Sequence, residues 1–207
     1  MQEFGFYFDG TRCTGCKTCM LACKDYYHLP SDLAFRQVYE YELHGSWTQD
    51  AAGCWTVDGG VYYVSTSCQH CGNPACIKVC PTGAMHKEDN GAVLVNTERC
   101  IGCGYCHLSC PYNAPKVDRE AGHSVKCTGC FDRVRAGEAP ICVAACPQRA
   151  LGFGEFSEFS RSEGTVRAIA PLPDEDATDP HLVIRPPRHA AAPDTDAGFV
   201  ANRDEIV

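Results

Sequence analysis

Four groups of closely spaced cysteines constrain this chain more than any other feature of its sequence. Of the 17 cysteines in 207 residues, all but Cys54 fall into these groups. That density is near the level at which composition alone indicates a cysteine framework. The groups are Cys13, Cys16, Cys19 and Cys23; Cys68, Cys71, Cys76 and Cys80; Cys100, Cys103, Cys106 and Cys110; and Cys127, Cys130, Cys142 and Cys146.

The third group says most about which metal group the cysteines bind, because it reads C-I-G-C-G-Y-C-H-L-S-C-P. This is the C-x2-C-x2-C-x3-C-P spacing of bacterial ferredoxins, in which the fourth cysteine binds a different cluster from the first three. Two-residue spacers let one short loop direct three thiolates and several backbone N–H groups at one cluster. Thiolates are soft ligands that suit iron. We expect the fourth cysteine to lie where a helix has begun, with its side chain directed toward a second cluster.

Disulfides and zinc account for the pattern less well. Three cysteines at repeated two-residue spacing cannot all pair locally as disulfides. The first ten residues also lack the charged start and apolar stretch of a secretory signal, so a reducing compartment is the expectation. A structural zinc site uses two C-x2-C pairs and has no place for a third cysteine at that spacing. The sequence therefore predicts iron–sulfur clusters.

If every fourth cysteine crosses over, the groups must work in pairs. The second and third groups are joined by a short stretch that predicts a β-hairpin, with strands at 84–87 and 92–95 around the turn E-D-N-G. These two groups are therefore predicted to form one module, which leaves the first and fourth groups to each other. Cys23 alone among the crossing cysteines is followed by lysine rather than proline.

This pairing predicts four [4Fe-4S] clusters with defined ligands. The predicted sets are Cys13, Cys16, Cys19 and Cys146 for cluster one; Cys127, Cys130, Cys142 and Cys23 for cluster two; Cys68, Cys71, Cys76 and Cys110 for cluster three; and Cys100, Cys103, Cys106 and Cys80 for cluster four. Cys54 is expected to be a free thiol, because every set is complete without it.

The predicted fold class is α+β, with two bacterial-ferredoxin-like two-cluster modules, one inserted in the other. The predicted parts are an outer module at 1–30 and 114–160, an aromatic-rich insert at 31–60, an inner module at 61–113 and an extended C-terminal arm at 161–207. The arm is acidic, rich in proline and free of cysteine. We expect it to dock on a partner; a solvated linker is the alternative.

Several function classes are disfavoured by what the sequence contains. The formal net charge is −8 and no basic block is present, which argues against nucleic acid as the main partner. The apolar runs are too short to span a bilayer. We find no phosphate-binding glycine loop and no nucleophile–base arrangement, and we predict no catalytic residue.

With these motifs in view, the chain resembles the four-cluster iron–sulfur subunits of molybdopterin oxidoreductases, in particular those of the dimethyl sulfoxide reductase type. The likeness rests on T-R-C-T-G-C-K-T-C-x-x-A-C-K-D, P-A-C-x-K-V-C-P-T-G-A-M-H-K, R-C-I-G-C-x-Y-C-H and K-C-T-G-C-x-D-R-V. Subunits of polysulfide, thiosulfate and tetrathionate reductases share such motifs, so they remain alternatives. A soluble multi-cluster ferredoxin and a zinc-bound scaffold are alternatives from other classes.

The resemblance implies a non-catalytic subunit that relays electrons from a quinol-oxidising integral membrane anchor to a molybdopterin catalytic subunit. It implies that clusters one and two face the catalytic subunit, and that clusters three and four face the anchor. Membrane association would come through the partners, and a signal-bearing partner could carry the chain across the membrane already folded. His86 is most simply an exposed strand histidine. Its functional alternative is a proton acceptor beside the quinol-oxidising partner.

The resemblance also bears on cluster type. In nitrate reductase relatives a tryptophan replaces one cysteine of the third group, and the site then holds a three-iron cluster. Cys103 occupies that position here, so four-iron clusters are predicted throughout. Electron paramagnetic resonance of the oxidised protein tests this, because a stoichiometric three-iron signal would contradict it.

Overall fold

The computed structural model describes residues 3–57 and 60–207 as short strands and helices joined by cysteine-bearing loops. The strands are β1 (Phe4–Asp9), β2 (Arg36–Leu43), β3 (Trp47–Gln49), β4 (Trp55–Val57), β5 (Val61–Ser67), β6 (Met85–Lys87), β7 (Val93–Val95), β8 (Lys116–Asp118), β9 (His123–Val125), β10 (Leu151–Glu155), β11 (Leu182–Arg185) and β12 (Gly198–Val200). The helices are α1 (Thr18–Tyr26), α2 (Ala75–Lys78), α3 (Tyr105–Ser109), α4 (Phe131–Arg135), α5 (Ile141–Ala144) and α6 (Phe156–Phe159), with 3-10 turns at Glu175–Ala177 and Arg203–Glu205.

One three-stranded sheet joins the two ends of the chain in the order β10-β1-β11. β10 is antiparallel to β1, and β11 is parallel to it. Phe6 and Phe8 on β1 are buried, and so is Ile184 on β11. The N-terminal strand is thus held between two segments that follow the last cysteine group, which brings the first and fourth groups close together.

A second three-stranded sheet has the order β12-β2-β5, with β2 in the centre. Both pairings are antiparallel, and Arg36 lies opposite Ser67 in the β2–β5 register. The β3–β4 hairpin extends from this sheet, and its side chains are exposed. The aromatic side chains of this region divide accordingly: Tyr41 and Tyr62 are buried, whereas Trp47 and Trp55 are exposed.

Two small antiparallel hairpins complete the sheets. The predicted hairpin between the second and third groups is confirmed as β6 paired with β7. β8 and β9 form the corresponding hairpin between the third and fourth groups. The short helix after Cys130 is α4, and it is followed by Gly137 at φ 79°, the left-handed conformation that commonly ends a helix.

The position of the crossing cysteines differs from expectation in three of four groups. The spacing predicts that Cys110 lies within a helix, but α3 ends at Ser109, and Cys80 and Cys146 likewise lie beyond α2 and α5. The following proline explains this, because it disfavours the helical conformation of the residue before it. Cys23 is followed by Lys24 and lies inside α1.

The C-terminal segment is not a solvated linker, so that alternative is wrong. β11 pairs with β1 and β12 pairs with β2, and Leu182, Val183 and Ile184 are almost completely buried. Near its end, the carbonyl of Val207 accepts a hydrogen bond of 2.7 Å from Gln37. The segment therefore fastens the two sheets to each other.

Cysteines make up much of the buried interior. The larger core includes cysteines of the first, second and fourth groups packed with Phe6, Phe8, Val38 and Val64, and Cys110 of the third group packs against it. A smaller core contains Cys76, Met85, Val93 and Cys106. Of the helices in residues 3–57 and 60–207, none combines the length and the hydropathy that crossing a membrane requires.

Candidate metal centres

Cysteines from the first and fourth groups line one cavity. It is lined by Cys13, Cys16 and Cys19 from the loop and helix start after β1, and by Cys146 from the segment after α5. Phe8 supplies part of an almost wholly apolar wall. The loop turns at Gly15, whose φ of 67° suits glycine.

A second cavity contains the corresponding set from the second and third groups. Cys68, Cys71 and Cys76 line it together with Cys110, which lies just beyond α3. Val93 closes one side of this cavity. Three of its four cysteines belong to the second group, and the fourth comes from the third group.

A third cavity shows the reciprocal arrangement. Cys100, Cys103 and Cys106 line it together with Cys80 from the end of the second group. Cys103 is exposed at its rim. The two groups thus exchange their fourth cysteines in space.

The three cavities are similar in size: the space between their lining residues, including the part open to solvent, is about 330, 340 and 330 Å³. Similar volumes lined by four cysteines each, with few polar walls, fit one kind of inorganic group repeated along the chain. Backbone N–H groups also point at the sulfurs, as iron–sulfur clusters require. These contacts are 3.4 Å from Met85 to Cys80, 3.3 Å from Ser124 to Cys100, and 3.3 Å from Ala150 to Cys146.

Four cysteines of the groups line none of these three cavities: Cys23, Cys127, Cys130 and Cys142. α1, which carries Cys23, packs against α5, which carries Cys142. Burial raises the pKa of Cys23 above its usual range, and the charges of Cys127, Cys142 and Cys130 add to that effect. The Tyr27 hydroxyl donates to the Cys130 sulfur at 3.2 Å, and the Gly129 N–H donates to Cys127 at 3.4 Å.

The protonation of these thiols depends on their burial. Burial raises the pKa of Cys71, Cys76 and Cys127 to about 12 and that of Cys13 to about 11. Buried thiolates without metal are therefore unfavourable at neutral pH. A bound metal reverses this balance, because its positive charge stabilises the thiolate and binding releases the proton.

Left-handed backbone recurs just before the second cysteine of every group. Gly15, Gly102 and Gly129 take this position in the first, third and fourth groups, and His70 takes it in the second, at φ 46°. The His70 Nδ1 accepts a hydrogen bond of 3.0 Å from Val93 N–H. Burial lowers the pKa of His70 well below its ordinary value, so the ring is neutral. Histidine therefore replaces glycine in this turn without bringing a charge into the core.

Arg36, Lys116 and Lys126 are buried cations near cysteines, and the burial of Arg36 has no signal in the sequence. Arg36 is completely enclosed, and its guanidinium donates to the hydroxyls of Ser65 and Ser67. Lys126 is also buried and donates to the carbonyls of Val93 and Cys127. The position of Lys126 beside Cys127 is a usable signal, whereas Arg36 lies in a strand far from any cysteine in sequence.

The residues predicted to lie outside the ligand sets are placed as follows. Cys54 is exposed in the turn between β3 and β4 and lines none of the three cavities. His86 lies on β6 and is half-exposed. Its Nδ1 is 3.1 Å from the Ala84 carbonyl, and its Nε2 is 3.5 Å from Glu88. Nothing in this geometry tests the proton-acceptor hypothesis, which stays a prediction.

Comparison with protein families supports the chemistry of these sites. A family model described as a 4Fe-4S dicluster domain matches residues 60–156, and a second model with the same description matches residues 12–84. The matched ranges overlap and together contain all four cysteine groups. Neither range coincides with one of the two nested modules expected from the sequence.

Comparison with individual proteins finds similarity along the whole chain. The chain is 53% identical to the B subunit of anaerobic dimethyl sulfoxide reductase from Haemophilus influenzae, over 100% of both chains. It is 48% identical to the protein of the same name from Escherichia coli, over 99% of this chain and 98% of that one. It is 39% identical to the thiosulfate reductase electron transfer subunit of Salmonella typhi, over 76% and 78% of the two chains.

Proposed function

The chain belongs to the family of iron–sulfur electron-transfer subunits that includes the B subunit of anaerobic dimethyl sulfoxide reductase, and we propose that it relays electrons through four [4Fe-4S] clusters. The proposed recipient is a molybdopterin catalytic subunit, with dimethyl sulfoxide as the terminal acceptor. The proposed donor is an integral membrane anchor that oxidises quinol. Chemistry on the acceptor belongs to the catalytic partner.

The observation that carries this proposal is the repeated four-cysteine cavity. The cavity sets match the ligand sets proposed for clusters one, three and four, and the interaction of Cys23 with the fourth group supports the set proposed for cluster two. When bound, a [4Fe-4S] cluster takes up and releases one electron. The chain's own residues hold the clusters with thiolates, direct backbone N–H groups at the sulfurs and enclose most of each site in apolar side chains.

The same sets support the proposed nesting of modules. The first and fourth groups meet because β1 lies beside β10 and β11, while the second and third groups are joined through the β6–β7 hairpin. We therefore propose an inner two-cluster module at 61–113 inserted into an outer one at 1–30 and 114–160. The insert at 31–60 and the segment at 161–207 contribute strands to the sheets that hold the modules together.

Exposed apolar side chains beside the cysteines suggest how the partners dock. Val79, Ile101, Tyr105 and Leu108 are exposed, and each lies within two residues of a cysteine of the cluster-four cavity. We name these four residues the cluster-four patch and propose that the membrane anchor binds there. An apolar, aromatic-containing surface is typical of the core of a stable interface. Membrane association of the chain is then indirect.

The opposite end of the proposed electron path has its own exposed residues. Leu21 on α1 is exposed, and Cys16 lies at the surface of the cluster-one cavity. We propose that the catalytic subunit binds this surface. An exposed cysteine at each end shortens the distance over which an electron must pass to a partner.

The choice of acceptor rests on the relatives. Relatives named for dimethyl sulfoxide reductase match nearly all of the chain, whereas the thiosulfate reductase relative matches about three quarters of it. Dimethyl sulfoxide is therefore the proposed acceptor. Thiosulfate, tetrathionate and polysulfide are the alternatives.

Anaerobic purification of the native complex tests the proposal. The reduced complex is mixed with dimethyl sulfoxide, and the loss of reduced-cluster signals is followed by electron paramagnetic resonance. The signals are expected to disappear with dimethyl sulfoxide and to persist with thiosulfate or tetrathionate. Recovery of the chain as a free monomer on size exclusion would instead support a soluble ferredoxin.

A further inference from the structure

Arg36 is a buried cation that pairs with no carboxylate in the part of the chain that the structure describes. Its side chain is 2% exposed, and its guanidinium carbon lies 4.8 Å from the centre of the Phe6 ring. The Nη1 and Nη2 groups each donate a 3.0 Å hydrogen bond, to the hydroxyls of Ser65 and Ser67 respectively. No ion pair joins Arg36 to a carboxylate within residues 3–57 and 60–207. A buried charge of this kind is costly unless opposite charge lies nearby.

The opposite charge near Arg36 comes from cysteines of two proposed clusters. Burial lowers the pKa of Arg36, but the thiolate charges of Cys142, Cys19, Cys127 and Cys23 outweigh that effect and raise it. Cys19 belongs to the set proposed for cluster one, and the other three belong to the set proposed for cluster two. The packing agrees with this: α1, which carries Cys19 and Cys23, packs against β2, which begins at Arg36, and also against α5, which carries Cys142.

Ser65 links the guanidinium to one of these sulfurs. Its hydroxyl oxygen accepts from Nη1 of Arg36 and lies 3.4 Å from the sulfur of Cys19. A guanidinium donates hydrogen bonds and accepts none, so the hydroxyl hydrogen of Ser65 takes no part in the contact with Arg36. Toward a thiolate, which only accepts, the serine donates. Arg36 thus orients and polarises a hydrogen bond that ends on a proposed ligand of cluster one.

We propose that Arg36 is a positioning residue that raises the reduction potentials of clusters one and two. The inference rests on the proposed function, because it requires clusters at both sets. One-electron reduction makes a cluster more negative, and a fixed buried cation stabilises the more negative form. Arg36 acts on cluster one both through its charge and through Ser65, and on cluster two through its charge. The electron comes from the quinol-oxidising partner.

Ser124 provides a matched comparison within the chain. Its hydroxyl oxygen accepts a hydrogen bond of 3.3 Å from the sulfur of Cys106, the third cysteine of its group, as Cys19 is of the first. None of the contacts in the described chain places an arginine behind Ser124. Substituting each serine therefore compares a hydroxyl that is hydrogen-bonded to a cation, Ser65, with one that is not, Ser124.

The test uses the native complex and redox titration followed by electron paramagnetic resonance. Arg36→Met removes the charge and keeps an unbranched apolar stem. Of the four cluster signals, which we call components, two should show a lower reduction potential. The expected shift is at least about 59 mV for one electron, which is a tenfold smaller equilibrium constant for reduction. Ser65→Ala should shift one of those same two components. Ser124→Ala should leave those two components unchanged, because Ser124 is paired with Cys106 and accepts from its sulfur.

Arg36→Lys keeps the charge and loses the paired hydrogen bonds to Ser65 and Ser67. It should therefore lower the reduction potentials less than Arg36→Met does. If Arg36→Met does not assemble, Arg36→Lys and Ser65→Ala carry the test, because both must lower the same component. Unchanged potentials in fully loaded variants would overturn the inference. Absence of four-iron signals from the unaltered complex would instead overturn the proposed function.

Discussion

Cys13 and Cys146 line the same cavity, although they lie near opposite ends of the cysteine-bearing region. Their proximity follows from sheet pairing, because β1 leads into Cys13 and its neighbour β10 follows Cys146. The first cysteine group is therefore completed only when the end of the fourth group has folded against it. This makes the interior of the protein dependent on contacts that are distant in sequence.

The pairing of groups predicts the effect of losing one crossing cysteine. Cys23→Ser should damage the cluster held by Cys127, Cys130 and Cys142 first, because Cys23 is the proposed fourth ligand of that set. The measurement is cluster content by electron paramagnetic resonance of the reduced complex. Cys54→Ser is the control and should retain all four signals. Selective loss of the cluster held by Cys13 would show that the pairing is wrong.

Gly15 and Gly83 have similar backbone conformations, so replacing each with alanine distinguishes the cost of backbone strain from the cost of a steric clash. Gly15 and Gly83 have φ of 67° and 65°, but a Cβ on Gly15 would lie 2.4 Å from the Tyr63 ring, whereas one on Gly83 would meet nothing within 4 Å. Gly83→Ala should cost about 1 to 2 kcal/mol for backbone strain. Gly15→Ala should cost a further 1 to 3 kcal/mol, roughly, for the clash.

Thermal unfolding of the two loaded variants measures this difference. Gly15→Ala should unfold at the lower temperature and should also lose the cluster held by the first group. Equal unfolding temperatures would mean that Tyr63 moves aside at no cost and that the close approach at Gly15 is unimportant.

The two proposed docking surfaces predict opposite effects of a charged substitution. Leu108 is 79% exposed in the cluster-four patch, and Leu21 is 60% exposed on α1. Leu108→Glu should weaken binding of the membrane anchor and spare the catalytic subunit, because a desolvated carboxylate is unfavourable in an apolar interface. Leu21→Glu should do the reverse. Co-purification of each partner with each variant is the measurement, and loss of the same partner from both variants would contradict the assignment.

His181 should make the folded protein less stable as the pH is lowered. Burial lowers the pKa of His181 despite the opposing charge of Glu3, whose carboxylate lies 3.5 Å from its Nε2. Lys87 and Arg167 favour the neutral ring, and Asp179 opposes them. As pH falls below about 6.5, the unfolded chain binds a proton that the folded chain still excludes, so the free energy of unfolding decreases.

The measurement is the thermal unfolding temperature of the loaded protein between about pH 7 and pH 5.5, a range that spans the ordinary histidine pKa. His181→Gln removes the titrating ring, so its unfolding temperature should fall less over this range than that of the unaltered chain. Parallel pH profiles would show that His181 does not contribute.

Sequence reasoning identifies the four cysteine groups and the β6–β7 hairpin, because spacing and turn residues act over short distances. It does not find Arg36 as a buried residue, because an arginine on a strand is ordinarily exposed. Arg36 is buried by the pairing of β2 with β5, which brings Ser65 and Ser67 to it from outside its sequence neighbourhood.

The lysine after Cys23 is also unexplained by the sequence. In the structure, α1 continues through Lys24 to Tyr26, and the Lys24 ammonium donates to the carbonyls of Pro30, Ser31 and Leu33 at 2.9, 2.9 and 2.6 Å. Lysine therefore ties down the turn after the helix, which proline could not do. That role depends on where the later loop folds, and spacing alone does not predict it.

The most direct test of the four-cluster relay is a redox titration of the anaerobically purified native complex, followed by electron paramagnetic resonance with iron quantified in the same sample. The chain is predicted to hold about sixteen iron atoms, four in each of four clusters, and to give four-iron signals only on reduction. A stoichiometric three-iron signal in the oxidised sample, or iron for fewer than four clusters, would contradict the account.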